Sequence, residues 1–325
     1  MIELVIAPQE AGRKLGRLME HLMPAVPKSF LYKAIRQNKI KIDRKKPADL
    51  SVVLQAGNVV QIYLTDEQLK EFGYRAGNVQ KQKAETGRGE KKEPLRVLYE
   101  DDQLLIVFKP AGIATQKGKN DPWSFTDAAL EYLHAKGEGT FGTYRPSFCH
   151  RLDKNTAGAL IMAKTLEAHH RVDELLSSRK IHKYYLAVTE SEAPEWQEET
   201  TLVNGYRKDH VKNMAEIVPF QEPLPAGYQP CSLKVKELSS NGKQSLVRVE
   251  LLTGKSHQIR AQLAFYSHPL VGDGKYQGGK TFRQMLLAYE LYFEEAEEPI
   301  ASLRGKRIRA EAPDEFKKLF PGYFQ

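Results

Sequence analysis

Apolar residues recur along this chain with two different periods, and the change of period divides it. Near the N-terminus Leu15, Leu18, Met19 and Leu22 fall at helical spacing, and Pro24 ends the run. A second helix is expected after Pro27, with Ser29 as its cap, Leu31 and Ile35 inward, and Lys33 and Arg36 outward. Ile40 and Ile42 then alternate with Lys39, Lys41 and Asp43, the pattern of a short half-buried strand. Gly57-Asn58 turns the chain into a further strand over 59–64. Residues 1–70 therefore read as a small α/β unit. Residues 71–94 are polar, glycine-containing and almost free of aliphatic side chains. They bury too little to order themselves and read as a flexible linker.

From 95 to 325 short apolar runs and period-two alternation take over. A strand over 95–99, a turn over 100–102 and a buried strand over 104–108 end at Lys109-Pro110-Ala111-Gly112. Ser124 with Asp127 makes a capping box for a helix bearing Ala128, Ala129, Leu130 and Leu133. Thr165 can cap another, carrying Leu166, Val172, Leu175 and Leu176. Segment 159–163 is a buried strand candidate, and alternation over 180–188 puts Lys183 and Tyr185 on one face. Residues 190–230, with Asn204-Gly205, read as a hairpin insertion, and 239–243 as a hairpin turn between 233–238 and 245–252. Ser256 is expected to cap a helix with Ile259, Leu263 and Tyr266 inward. Strands outnumber helices, so the predicted fold class is α+β: a mixed, mainly antiparallel sheet with helices packed outside.

Charge narrows the choice of partner. The net charge is +8 with a pI near 9.2, and eight basic residues against one acidic fall between 28 and 46. A polyanion such as RNA suits that balance better than an acidic small molecule. The two cysteines, Cys149 and Cys231, lie far apart beside no other ligand cluster, which argues against a disulfide scaffold or a zinc site and fits a reducing cytosol. Neither a membrane-length apolar run nor a secretion signal is visible. Phosphate-loop and dinucleotide fingerprints are missing too, so no cofactor is expected.

The chemistry concentrates in Cys149-His150-Arg151-Leu152-Asp153-Lys154-Asn155-Thr156-Ala157-Gly158. Asn155 to Gly158 supply turn residues, which places Asp153 on a loop at the mouth of a sheet. With His150, Arg151 and Lys154 beside it, that carboxylate should stay ionised. An ionised, held carboxylate can serve as a nucleophile or as a base.

His150-Arg151-Leu152-Asp153, with Thr156 and Gly158 following, resembles the H-R-L-D-x-x-T-S-G signature of the RluA/RluD family of RNA pseudouridine synthases; Ala157 stands in place of the Ser. The resemblance implies that Asp153 is catalytic. Segment 180–188 is similar to the family's K-x-Y-x-A-x-V, which makes Tyr185 the base-stacking tyrosine. Segment 251–260 is similar to T-G-R-T-H-Q-I-R, which makes Arg260 the partner of the catalytic Asp. Lys255 replaces an Arg there, Gln262 replaces a His, and Gln277 breaks a later Y-G. Lys109 and Pro110 match a K-P-x-G pattern placed near the site as architecture.

The first seventy residues resemble the small RNA-binding domain of ribosomal small-subunit protein four. RNA contacts are accordingly expected from Lys33, Arg36, Lys39 and Lys41 there, and from Arg151, His150, Lys255 and His257 in the larger unit. The implied activity is isomerisation of uridine to pseudouridine, in large-subunit ribosomal RNA or transfer RNA, by a cytosolic monomer without metal or cofactor. The rival reading is a non-catalytic RNA-binding assembly factor with the same fold.

Overall fold

The computed structural model describes residues 2–6, 11–74, 95–118, 121, 123–137, 144–279 and 283–324. In the first unit β1 (Ile2–Val5), α1 (Leu15–Leu22), α2 (Lys28–Arg36), β2 (Ile40–Ile42), β3 (Val59–Ile62) and α3 (Asp66–Glu71) follow in order. The strands form an antiparallel sheet in the order β1-β3-β2. Leu15, Leu18, Met19 and Leu22 are all buried, so the helical spacing of α1 is the spacing of its core face. They pack with Leu31, Ile35, Ile40, Val60 and Ile62. Ser29 does not cap α2: the cap position is Pro27, held extended at φ −68°, and Ser29 lies inside the first turn. Packing also continues beyond residue 70. A capping box between Thr65 and Gln68 starts α3, and the buried Phe72 ring lies 4.6 Å from that of Phe30. The linker expected over 71–94 thus gives up its first four residues to this unit, and 75–94 lies outside the described residues.

The second unit contains β4 (Arg96–Glu100), β5 (Leu104–Lys109), α4 (Phe125–Ala135), β6 (Ser147–Phe148), β7 (Ala157–Ala163), α5 (Leu166–Ser177), β8 (Ile181–Val188) and β9 (Thr200–Asp209). It continues through β10 (Met214–Pro219), β11 (Gln229–Ser240), β12 (Ser245–Leu251), α6 (Gln258–Phe265), β13 (Leu286–Phe293), β14 (Arg307–Arg309) and α7 (Asp314–Leu319). One sheet takes all eleven strands in the order β10-β9-β11-β12-β8-β13-β7-β5-β4, with β14 beside β13 and β6 beside β7. Every pairing is antiparallel except β13 with β7. The α+β class with a mixed, mainly antiparallel sheet is therefore the observed one. Side chains of α4 and α6 share one core with Leu105, Leu160, Tyr185 and Val247. Those of α5 pack with Ile106, Ile161 and Leu291, and those of α7 with Leu186, Leu246 and Leu287. The capping box before α4 and the Thr165 cap on α5, where Thr165 Oγ1 accepts from Ala168 N–H at 3.2 Å, both form as the sequence expects.

Three local expectations change. Gly158 belongs to β7 rather than to the turn before it. Its φ is +126°, and an added Cβ would come within 2.2 Å of the Ala288 carbonyl oxygen, so only glycine permits the parallel approach of β13. The hairpin expected within 190–230 forms from β9 and β10, but it turns over 210–213, and Asn204-Gly205 lies in mid-β9 with Asn204 buried. Ser256 leaves the start of α6 to His257, which adopts a left-handed conformation at φ 57°. No side-chain hydrogen bond caps α6; Gln258 Oε1 instead accepts from Lys255 N–H at 3.1 Å and pins the turn before the helix. Among the described residues no helix is long and apolar enough to cross a membrane.

Candidate active site

Asp153 sits on the loop between β6 and β7, and the backbone around it is fixed on both sides. Thr115 Oγ1 donates to Leu152 O at 2.9 Å and accepts from Leu152 N–H at 3.2 Å, while Thr156 N–H donates to Asp153 O at 3.0 Å. Lys109, fully buried at the end of β5, donates to the carbonyls of Pro110, Ile113 and Lys154 at 2.8, 2.9 and 3.1 Å. Burial pulls the Lys109 pKa down to about 7, against the charge of Asp153, which raises it. Three carbonyls meeting three N–H donors match an ammonium, so Lys109 serves as a cationic peg under the loop.

The carboxylate itself is 27% exposed and faces Arg260, whose Nη1 donates to Asp153 Oδ2 at 3.2 Å. Arg260 is 7% exposed and comes from α6, 107 residues further on. Its two-pronged fork does not grip Asp153. Nε and Nη2 donate instead to Asp273 Oδ2 and Oδ1 at 2.6 and 2.7 Å, and Asp273 is buried. Burial works against the guanidinium charge, but the hydrogen bonds and negative charge of Asp273, with those of Asp153, hold its pKa above the ordinary value.

His257 closes another side, with Nε2 3.8 Å from Asp153 Oδ2. Its Nδ1 lies 3.0 Å from Tyr276 Oη, and that oxygen accepts from Ala215 N–H at 2.6 Å. Donation of the tyrosine proton to Nδ1 is compatible with that bond and goes with the tautomer that turns Nε2–H toward Asp153. Burial drags the His257 pKa down to about 4, so the ring is neutral at physiological pH. The Tyr276 ring also lies under the Arg260 guanidinium, 5.1 Å from its carbon. Tyr185 is buried on the same side of the sheet, and burial together with the Asp153 charge pushes its phenol pKa up. Tyr184 faces the other way, under Arg248. Tyr206 and Lys208, alternate residues of β9, complete the ring of groups that feel the Asp153 charge.

Several expected partners stand elsewhere. His150 is no cation for RNA: its Nε2 accepts from Ile161 N–H at 3.3 Å, and burial takes its pKa down to about 3. Lys154 turns from Asp153 to Asp121, 2.6 Å away. The charge that holds Asp153 thus comes from Arg260, not from its chain neighbours. Arg151 is exposed beside the loop, and Lys255 reaches Gln229 at 2.7 Å. In the first unit Lys33 and Arg36 are exposed, Lys39 and Lys41 half-buried, and Lys41 lies over the exposed Tyr63 ring at 5.5 Å. Asp273, Tyr276, Tyr206 and Lys208 were not singled out in the sequence. Asp273 and Tyr276 are legible only as part of the G-D-x-x-Y stretch, and period-two spacing in β9 was the one sign for the other two.

Residues 103–265, half of the chain, match the family model described as RNA pseudouridylate synthase. The chain is 35% identical over 236 residues to an uncharacterized RNA pseudouridine synthase of Bacillus subtilis (strain 168), covering 71% of this chain and 72% of that one. It is 28% identical to ribosomal large subunit pseudouridine synthase C of Salmonella typhimurium (strain LT2), covering 87% and 82%. In three dimensions it is similar to human RNA pseudouridylate synthase domain containing 4, with a TM-score of 0.55 over 70% of this chain and 92% of that one; at 21% identity this likeness speaks to the fold. A family match spanning the strands and helices that surround Asp153, joined to a relative aligned over most of both lengths, establishes that the chain belongs to the RNA pseudouridylate synthase family, in its RluA/RluD branch.

Proposed function

We propose that this synthase converts particular uridines of large-subunit ribosomal RNA to pseudouridine in the cytosol, with Asp153 as the reacting carboxylate. The observation that carries the reading is the part-open Asp153 carboxylate aimed by a buried Arg260 that Asp273 holds in turn. Isomerisation breaks the bond from N1 to the sugar carbon, turns the uracil and joins C5 to the same carbon. The C5 proton leaves and N1 gains one, so no oxidant, reductant or hydrolytic water is consumed. Attack on the sugar, attack on the base and removal of a sugar proton all need a carboxylate held in place, and the Arg260 contact at 3.2 Å holds it. A stacked uridine must first be flipped out, at a cost of a few kcal/mol, and in this reading Tyr185, buried on the side of the sheet that carries Asp153, supports the freed base.

Large-subunit RNA is favoured because matched relatives carry that substrate in their names. The first unit, through Tyr74, acts in this reading as a separate RNA-holding domain like that of ribosomal small-subunit protein four. Its support is the basic face with Lys33, Arg36, Lys39 and Lys41, interleaved with exposed Tyr32 and Tyr63. The deciding experiment is tritium release from C5-labelled uridine in ribosomal RNA. Wild type should release tritium, and Asp153→Asn should bind RNA and release none. Release by Asp153→Asn near the wild-type rate sinks the role of Asp153, and no release by wild type favours a non-catalytic assembly factor.

A further inference from the structure

On the face of the sheet covered by α5, away from Asp153, a second group of reactive side chains converges. His169 and Asp173 lie one turn apart on α5, with His169 Nε2 3.5 Å from Asp173 Oδ2. Cys149, just after β6, brings its Sγ to 3.9 Å from His169 Nδ1. One ligand atom from each of the three lies within 4.8 Å of the others. Tyr144 Oη and Ser147 Oγ approach the same histidine nitrogen at 3.1 and 3.4 Å, adding oxygen atoms to the cluster. Cys149 packs with the apolar residues under α5, whereas Leu152 and Tyr185 belong to the core on the opposite face.

We propose that Cys149, His169 and Asp173 form a site for a zinc-class divalent cation. The donor set decides the class: a thiolate and an imidazole suit zinc, while magnesium and calcium demand oxygens throughout. Three protein ligands leave a fourth position, which water or the Tyr144 oxygen can fill. Binding ionises the Cys149 thiol and sends its proton to the buffer. Spacing along the chain hides the site, because the ligands come from a loop and a helix twenty residues apart and make no Cys-x-x-Cys pattern. Its place gives it a task. Cys149 stands four residues before Asp153, and its N–H donates to Ile161 O at 2.9 Å, so a bound cation would tie the head of the catalytic loop to α5.

Cobalt titrated into chelator-treated full-length enzyme tests this, since thiolate ligation gives a near-ultraviolet charge-transfer band absent from oxygen-only sites. One equivalent should bind with that band and be displaced by zinc. Cys149→Ser should abolish the band, while Cys231→Ser, which alters the other cysteine, should keep it. Asp173→Asn, a change at a half-exposed helix position that leaves the fold intact, should weaken cobalt at least about tenfold, by loss of one ligand of three. Absence of the band in wild type, its survival in Cys149→Ser, its loss in Cys231→Ser or unchanged affinity in Asp173→Asn would overturn the assignment. None of these readouts depends on turnover, so the proposal stands or falls apart from the role of Asp153.

Discussion

Around Asp153, charge is buried and matched: Arg260 grips Asp273 with two hydrogen bonds and turns a third donor, on Nη1, to the Asp153 carboxylate. On the face made by α2 and β2, charge stands at the surface. Lys33, Arg36 and Lys39 make no ion pair among the described residues, and Lys41 only shades a tyrosine ring. The difference is one of range and of dependence. A buried pair acts over one contact and is costly to break, because the abandoned charge stays out of water. An exposed cation adds little to folding, reaches a polyanion across solution and fades as salt rises.

Removing the hidden anchor should have the largest effect. Asp273→Asn strands a buried guanidinium on a single partner, so denaturant unfolding should show a loss of about 3–5 kcal/mol. Single-turnover tritium release should fall with it. Stability within about 0.5 kcal/mol of wild type would mean that the fork is ornamental. Arg260→Lys keeps the charge and discards the planar geometry. We expect a rate about 100-fold lower, near 3 kcal/mol, with RNA affinity changed less than about threefold. Equal single-turnover rates at saturating enzyme would make Arg260 a binding residue only.

Glu100 shows what burial and pairing do without chemistry. Lys136, Lys164 and Tyr132 donate to it at 2.8, 2.8 and 2.7 Å. Burial opposes ionisation, yet these hydrogen bonds pull its pKa down to about 2 from an ordinary 4.5. A folded value below the unfolded one stabilises fully above pH 4.5, and that contribution drains away as the pH falls toward 2. Glu100→Gln should cost at most about 3 kcal/mol at pH 7, the gap to wild type should narrow through that acid window, and turnover should hold. A constant gap across the window would contradict the pairing. Smallest for the fold is the surface change. Replacing Lys33, Arg36, Lys39 and Lys41 together by Ala should leave stability within about 0.5 kcal/mol. The slope of RNA affinity against salt should drop by about three if those four residues meet phosphates. An unchanged slope would remove the first unit from the RNA interface.

Much of this was written in period and spacing. α1, β5, α4, α5 and the β11–β12 hairpin follow from apolar rhythm and caps, because their local preference and their packing agree. Asp153, Tyr185 and Arg260 were legible through the motifs that frame them, and the structure brings all three to one side of the sheet. The rest depended on contacts between distant segments. Nothing near Asp273 says that it takes the fork of Arg260. His150 reads as a cation until the fold covers it, and Lys154 reads as a neighbour of Asp153 until Asp121 draws it away. Phe72 and Tyr74 sit among charged residues, so their membership of the first core shows only when Phe30 is opposite.

The left-handed backbone at His257 carries a consequence of its own. A side chain beyond glycine holds φ 57° at a cost on the order of 1 kcal/mol, and here it falls where the imidazole must face Asp153. A glycine in that position would relax the start of α6 and dismantle the chain from Tyr276 to the carboxylate. Selection for heat resistance alone weighs that strain against the packing of a ring only 11% exposed, whereas a selection that also demands turnover would keep the histidine. In a library screened both ways, residue 257 becomes a gauge of which pressure the chain has been under.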